Sequence, residues 1–445
     1  VGELFGTDGV RGEANIFLTA EMAFKIGKAG AYYLSQKKTN PKILIGKDTR
    51  ISGDMLEAAL IAGITSLGID VVKVGVVPTP VVAYLTKHKD VTAGIMISAS
   101  HNPVQDNGIK FFNGNGFKLS DQQEDDIEEI ILNSLDKLPV PAGDKVGKVE
   151  FIHHSLDEYI DYIKKTVDGD FSGLKVVVDA ANGAAYELAP RLLAELGAEV
   201  IALNNKPTGL NINVDCGSTH PEILQQAVLD NKADLGIAHD GDADRVIAVD
   251  DKGELVDGDY ILAICGRQLI KEGKLADNTI VATKYSNLGL QQAMNEVDAK
   301  VSVVGNGDRY VLAEMLDKSY ILGGEKSGHI IFLDYNTTGD GVLTALQLIN
   351  VVKKRGKTLS QLRQEMTEFP QLLVNVKVTN KDWEDSSAIN EAIAEVEAAL
   401  AGEGRIFVRA SGTEPVVRVM VEGKDEAQIE ELVNKVASVV EAELN

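Results

Sequence analysis

The sequence predicts an α/β protein: three similar βαβαβ mixed-sheet domains followed by a smaller C-terminal α+β domain. Two observations predict this class. Apolar runs of strand length alternate with helix-period segments over most of the chain, the pattern of layered, largely parallel sheets. The same order of elements also recurs, beginning near residues 42, 175 and 278, and gives way to a different order after residue 370. At roughly 150 residues per domain, a chain of 445 residues accommodates three or four domains.

In the first unit residues 42–46 (KILIG) read as a strand ending at the polar turn Lys47-Asp48-Thr49-Arg50. Residues 53–67 have helical spacing, 70–77 form a second strand, 79–87 a second helix and 93–97 a third strand. The second unit sets strands at 175–179, 198–203 and 234–238 against helices at 184–196 and 221–231. The third sets strands at 278–283, 300–304 and 320–323 against helices at 288–296 and 308–316. Residue identity between the units is slight, so the repeat is one of architecture. The remainder reads as strands at 372–378, 405–408 and 416–421 with helices at 387–400 and 425–444. Residues 139–148, with Pro139 and Pro141, and the tripeptide Phe369-Pro370-Gln371 read as linkers. The expected domains are therefore 1–150, 151–255, 256–369 and 370–445. Ligands of open α/β sheets sit at the carboxyl ends of the strands, so the chemistry is sought in the loops there.

Composition removes several function classes. Lys and Arg total 44 against 67 Asp and Glu, a net charge of −23, which argues against nucleic acid or an anionic membrane as the main partner. Aromatic residues make up only 5% with one Trp, too few for base-stacking platforms. The two cysteines, Cys216 and Cys265, build neither a disulfide framework nor a zinc site and suit a reducing compartment. No apolar run reaches the roughly 18 residues of a membrane span, and the first residues lack a signal-peptide pattern. A cytoplasmic location is expected.

Four loops carry chemistry. Asp240-Gly241-Asp242-Ala243-Asp244-Arg245 lies between two apolar strands, the second at 246–249. Carboxylates two residues apart can converge when the chain curls at a strand end, and hard oxygen ligands suit Mg2+. A solvated acidic turn is the plain alternative. An EF-hand is rejected because its sixth and twelfth positions would be Arg245 and Asp251 instead of Gly and Glu. A phosphatase using an Asp-x-Asp pair as nucleophile and acid remains compatible with this segment.

Ser98-Ala99-Ser100-His101-Asn102-Pro103 ends the strand at 93–97, and a serine there is a nucleophile or phosphate carrier, or else part of a structural turn. Arg409-Ala410-Ser411-Gly412-Thr413-Glu414-Pro415, followed by Arg418, reads as a phosphate cradle or as a plain hairpin loop. In Gly323-Gly324-Glu325-Lys326-Ser327-Gly328-His329, Glu325 and Ser327 can hydrogen-bond sugar hydroxyls, and His329 is a candidate acid or base. Against so acidic a background an anionic substrate needs local cations, and Arg11, Arg50, Lys110, Arg245, Arg409 and Arg418 all sit in or beside polar loops. Walker A, G-x-G-x-x-G, H-E-x-x-H and G-x-S-x-G patterns are missing.

Taken together, FGTDGVRG at the N-terminal end, SASHNP, DNGIKFF, DGDADR, GGEKSGH and RASGTEP occur in an order that resembles the α-D-phosphohexomutase superfamily. The segment NINVDCGSTHPE at 211–222, with FPQ at 369–371, is most similar to the bacterial branch that acts on glucosamine phosphates. The resemblance covers essentially the whole chain. It implies four domains around a central cleft, each giving one loop. It implies an intramolecular phosphotransferase that interconverts glucosamine 6-phosphate and glucosamine 1-phosphate through a 1,6-bisphosphate. A phosphomannomutase or phosphoglucomutase with the same machinery is the close alternative, and a metal-dependent sugar phosphatase the distant one.

Carried over by position, Ser100 is the phosphoserine, and Asp240, Asp242 and Asp244 hold one Mg2+ with it. Arg11, His101, Lys110, Arg245 and His329 surround the reacting group, Lys110 and His329 as alternative general bases or acids. Glu325 and Ser327 bind sugar hydroxyls, and Arg409, Ser411, Gly412, Thr413 and Arg418 grip the other phosphate. The resemblance also implies a hexose 1,6-bisphosphate activator, a homodimer as the candidate assembly, and closure by a hinge near Pro370. Departures from the common pattern are Ala243 for Gly, His239 for an apolar aromatic, Lys47 for Arg, and an extra Asn306.

Overall fold

The computed structural model describes residues 4–6, 8–36, 38–411 and 415–445. In the first sheet the strand order is Val10–Glu13, Asp106–Asn113, Ala93–Ile97, Lys42–Lys47, Asp70–Val76, Val149–Phe151. Lys42–Lys47 runs parallel to both of its neighbours, whereas Asp106–Asn113 is antiparallel to both of its own. The second sheet places Lys175–Asp179 parallel between Glu199–Leu203 and Leu235–His239, with Val246–Asp250 antiparallel to the latter. The third places Thr279–Thr283 parallel between Lys300–Val304 and Leu322–Gly324, with Ile330–Phe332 antiparallel to the latter. Each core is filled by the inward faces of these strands and by helices laid on them; Ile43, Ile45, Val71, Ile95 and Ile109 are fully or almost fully buried in the first.

The three repeats share a feature that periodicity does not show. In each, the third parallel strand turns back into an antiparallel one, and that turn carries the motif: Ser98–Pro103 in the first sheet, Asp240–Arg245 in the second, Glu325–His329 in the third. A parallel continuation would need a crossover of a dozen or more residues, whereas an antiparallel return anchors both ends of a short loop on the same sheet. The C-terminal sheet, ordered Gln371–Lys377, Val416–Gly423, Gly404–Ala410, is antiparallel throughout, and residues 411–415 again join two adjacent strands.

By packing, one compact unit runs to Tyr285 and includes Ala299–Glu365, and a second combines Ser286–Asp298 with Met366–Asn445. In the second unit, Ser387–Leu400 and Glu426–Leu444 cover a core of Val376, Val396, Val417, Val419 and Val433. The fully buried Glu422 accepts from the Leu288 N–H at 2.7 Å and from Arg405 Nε at 2.6 Å. Asn287 donates to the Phe369 carbonyl and accepts from the Phe369 N–H, both at 2.9 Å. These bonds, with that from Arg405 Nη2 to the Ser286 carbonyl, join Ser286–Asp298 to the C-terminal sheet and to Phe369 just before it.

Helices Gly258–Lys271 and Gly341–Arg355 were not legible in the apolar pattern, because most of their residues are buried all round and leave no polar stripe. Their ends were better marked. Asp257 and Asp340 cap the first turns with their carboxylates, and Gly356 at φ 58° closes the second helix. The helix read at 184–196 starts only at Leu188. Residues before it form turns, with Ala181 and Asn182 at φ 51° and 48°, because that stretch braces the acidic loop instead.

Candidate active site

Ser100 stands at the carboxyl end of Ala93–Ile97, 1% exposed, with φ at 52°. The left-handed turn is held from several sides. Its N–H donates to Ser98 Oγ at 2.9 Å, and Ser98 Oγ donates to Asp48 Oδ2 at 2.6 Å. Its carbonyl accepts from Arg50 Nη2 at 2.9 Å and from Asn213 Nδ2 at 2.8 Å. Arg50 also donates to the carbonyls of Asn102, Pro103 and Asp106. Arg50 is therefore not a cation open to substrate, as its loop position suggested; its guanidinium is spent on the backbone of the serine loop and on buried Asp48. Lys47 likewise faces away, bonded to Asp54 and Glu57.

The Ser100 hydroxyl donates to Asp240 Oδ2 at 2.6 Å. Asp240, Asp242 and Asp244 are all buried, and one oxygen of each lies within 4.8 Å of the others. Burial and the two neighbouring carboxylates hold Asp240 well above the usual carboxylate range. Burial pushes Asp242 the same way, but Lys110 and the Thr79 hydroxyl outweigh it and hold that group below the usual range. Thr79 Oγ1 and Lys110 Nζ donate to Asp242 Oδ2 at 2.6 and 2.9 Å. Among the described residues, Asp242 Oδ1 and Asp244 Oδ1 are buried with no hydrogen-bond donor. Buried carboxylate oxygens without donors, converging beside a hydroxyl, fit a hard divalent cation such as Mg2+.

The acidic loop is braced by close backbone approach. The Ala184 N–H donates to the Gly241 carbonyl at 2.8 Å, and a Cβ on Gly183 would meet Gly241 Cα at 2.7 Å. Ala243 takes φ 54°, a conformation the more usual Gly adopts without strain. His239 is fully buried, and its Nδ1 lies 3.1 Å from the Arg245 carbonyl. Burial brings its imidazole down to about 4. It is thus a neutral wedge beneath the loop.

Cations and the third loop complete the cluster. Lys110, 1% exposed, bridges Asp242 and Asp8 and lies 3.8 Å from Asp244. Burial works against its charge, and these carboxylates outweigh burial. Arg11 pairs with Asp8. His101 Nδ1 is 3.3 Å from Ser100 Oγ, and burial with nearby Arg245 and Arg11 lowers its imidazole to about 4. His329 Nε2 lies 3.9 Å from Asp244 and 3.7 Å from Asp308, and its ring rests on Gly339, where a Cβ would come within 2.3 Å. Arg245 and His329 form an antiparallel bridge, and the Val246 N–H donates to the Gly328 carbonyl, so the second and third motif loops share backbone contacts. Glu325 Oε1 accepts from the Gly307 N–H at 3.1 Å, and Ser327 is exposed at the loop tip.

In the C-terminal unit Arg409 and Arg418 are directly opposite each other across two strands, which puts both on one face. Ser411 is buried, its N–H donating to the Val416 carbonyl and its carbonyl accepting from Lys381 Nζ at 2.8 Å. Gly412 and Thr413 lie outside the described residues.

Models of the phosphoglucomutase/phosphomannomutase domains match along the chain: α/β/α domain I at 2–137, domain II at 157–253, domain III at 257–369 and the C-terminal domain at 373–439. A phosphoglucosamine mutase of Desulforamulus reducens is 55% identical over 441 residues, 99% of each chain. The chain belongs to the phosphoglucosamine mutase branch of the phosphoglucomutase/phosphomannomutase family.

A second member of this branch, from Brevibacillus brevis, is 55% identical over 447 residues and covers both chains fully. The family fold is seen in a phosphoglucomutase/phosphomannomutase family protein of Burkholderia thailandensis, with TM-score 0.84 at 24% identity over 99% of this chain and 98% of that one. It is seen again in an Aspergillus fumigatus N-acetylphosphoglucosamine mutase solved with GlcNAc-6P and magnesium, with TM-score 0.72 at 18% identity over 99% and 95% of the chains. No helix among the described residues is long and apolar enough to cross a membrane.

Sequence reasoning passed over Asp8, Thr79, Lys118, Asn213 and Asp308, all of which contact a motif loop or its cations. Only Asp8 and Asn213 lay inside quoted motifs, and neither had a role there. The others carry no local signal, since Thr79 meets Asp242, and Lys118 meets Asp8 and Asp308, across more than a hundred positions.

Proposed function

We propose that this enzyme of the phosphohexomutase family interconverts glucosamine 6-phosphate and glucosamine 1-phosphate through a phosphorylated Ser100 and glucosamine 1,6-bisphosphate. One observation carries the reading: a buried serine hydroxyl on a strand-end turn, 2.6 Å from a carboxylate of a converging Asp triad. A free sugar hydroxyl attacks the phosphoserine phosphorus; the new O–P bond forms as the bond from phosphorus to Ser100 Oγ breaks. Net, one proton leaves the sugar hydroxyl and ends on Ser100 Oγ, and we assign its carriage to Lys110 or His329. The bisphosphate then turns over and returns its other phosphate to Ser100.

Asp240, Asp242 and Asp244, with the Ser100 phosphate, would hold one Mg2+, whose charge offsets that of the transferring group. Arg11, Lys110 and Arg245 add fixed positive charge there, with neutral His101 beside the serine. Glu325 and Ser327 would take the sugar hydroxyls. Arg409, Ser411, Gly412, Thr413 and Arg418 would hold the phosphate that is not reacting, in either orientation, so that remote binding energy positions the reacting end. Exclusion of water, which would hydrolyse the phosphoenzyme, is assigned to bending near Pro370. Hexose 1,6-bisphosphate would activate by loading Ser100.

The test is a coupled assay with Mg2+ and a trace of hexose 1,6-bisphosphate, comparing glucosamine 6-phosphate, glucose 1-phosphate and mannose 1-phosphate by kcat/KM while following free phosphate. Preference for glucosamine 6-phosphate, and loss of exchange in a folded Ser100→Ala variant, support the reading. Preference for the neutral hexoses moves the enzyme to the sister specificity. Phosphate release without isomerisation, or full activity of Ser100→Ala, overturns the phosphoserine mechanism.

A further inference from the structure

We propose that Lys118 and Asp308 are positioning residues that act through Asp8: together they fix Arg11 and Lys110 against the phosphoryl site and tie them to the loop that carries Glu325. The proposal rests on the mutase reading above and extends it to residues that touch neither the serine nor the Asp triad.

The observation is an unbroken run of paired charge, fully buried at Lys110 and partly buried at Asp8, Lys118 and Asp308. Asp8 presents one oxygen to Arg11 Nη2 and to Lys110 Nζ at 3.0 Å, and the other to Lys118 Nζ at 2.7 Å. One carboxylate thus serves three cations. Lys118 Nζ also donates to Asp308 Oδ2 at 2.6 Å, and among the described residues Asp8 and Asp308 are its ion-pair partners. Asp308 opens the helix Asp308–Lys318, and the preceding residue, Gly307, gives its N–H to Glu325 Oε1. The run therefore leads from Glu325 through Gly307 and Asp308 to Lys118, then to Asp8, and from Asp8 to the two cations beside Asp242. Lys118 is well placed to transmit position because its backbone is fixed. It forms an antiparallel bridge with Phe112, and the Asn113 N–H donates to the Phe117 carbonyl at 2.8 Å.

Electrostatics explains why the link matters. Arg11 and Lys110 sit between Asp8 and the triad, so their place depends on how strongly Asp8 attracts them. Lys118 neutralises the far oxygen of Asp8. Without it, the uncompensated carboxylate draws Arg11 and Lys110 toward itself and away from the phosphoryl site. Asp308 keeps Lys118 at that post and belongs to the segment that seats Glu325, so movement of the sugar loop is felt at the cations.

The test is steady-state kinetics of full-length variants with glucosamine 6-phosphate, Mg2+ and a saturating bisphosphate. A misplacement of order 1 Å costs about tenfold to a hundredfold in rate, so Lys118→Met should lower kcat by that factor. KM should change by less than about threefold, since the lost interaction does not hold substrate. Lys118→Arg, which keeps the charge, should recover most of the rate. Asp308→Asn should lower kcat in the same way, and the Lys118→Met/Asp308→Asn pair should be no slower than Lys118→Met alone, as for residues of one network. Wild-type kcat in Lys118→Met, a raised KM at unchanged kcat, or losses that multiply in the double variant would each overturn the proposal. If Lys118→Met does not fold, the isosteric Asp308→Asn decides by the same kcat criterion. A wild-type enzyme that fails to isomerise the sugar phosphate refutes the mutase reading itself, whereas an active wild type with unaffected variants refutes only the positioning role.

Discussion

Replacing Arg50 by Met separates a bracing cation from a ligand-binding one. The Arg50 side chain is fully buried and donates through Nε to Asp48, which is 1% exposed. Removing the guanidinium leaves that carboxylate in the interior with, among the described residues, only the Ser98 hydroxyl and the residue-50 N–H as donors. Breaking a buried pair from one side costs about 3–5 kcal/mol. The loop carbonyls lose less. Those of Ser100 and Asn102 keep Asn213 Nδ2, and that of Pro103 keeps the Asp106 N–H, so each of these forfeits about 0.5–1.5 kcal/mol, while that of Asp106 loses its Arg50 donor at about 1–3 kcal/mol. The ion pair sets the scale, and 3–5 kcal/mol is a large part of the roughly 5–15 kcal/mol that stabilises a typical folded protein. The assay is urea unfolding followed by circular dichroism, read at the first transition because a multidomain chain need not unfold in one step. The midpoint should fall clearly, and kcat should fall with it as the Ser100 turn loosens. An unchanged midpoint with a raised KM for the sugar phosphate would show that Arg50 binds substrate and refute the bracing argument.

Two further outcomes follow from the same geometry. A Cβ on Gly241 would lie 2.5 Å from the Ser100 carbonyl oxygen and 2.9 Å from Asn213 Nδ2, so Gly241→Ala should cost about 1–3 kcal/mol of stability and at least roughly tenfold in kcat; wild-type turnover would mean that the two loops are not rigidly apposed. Burial, with help from Asp8, raises the Glu124 carboxyl to about 7 against the pull of Lys118. A raised acid favours the folded state while it is protonated, and that advantage is lost as pH rises through the range from 4.5 to about 7. Glu124→Gln should therefore match wild type in unfolding midpoint at pH 4 and exceed it at pH 8, and the opposite order would contradict the assigned environment.

Much of the site is local in origin and so could be read along the chain. Asp240, Asp242 and Asp244 alternate within one loop, and a strand-end curl is enough to bring such carboxylates together. Ser100 is marked along the chain by the strand before it and the proline after it, although distant Arg50 and Asn213 hold its turn. Arg50 was misjudged for a physical reason: a cation in a polar turn looks the same in sequence whether it faces a ligand or is buried under the turn. The stretch 184–187 was read as the start of a helix, but the bond from the Ala184 N–H to the Gly241 carbonyl holds it in turns.

Sequence alone was enough for the repeated α/β architecture, the four motif loops and the branch of the family, because periodicity and motif residues act over a few neighbouring positions. It did not determine the antiparallel return that displays each loop, nor the bonds that make the loops one site. Asp8, Lys118 and Asp308 are up to 300 positions apart and show no common pattern along the chain. Only the packing of separate sheets brings them within 3 Å of a partner. There, low dielectric and loss of water make each unpaired charge costly, and the charges settle into one connected network.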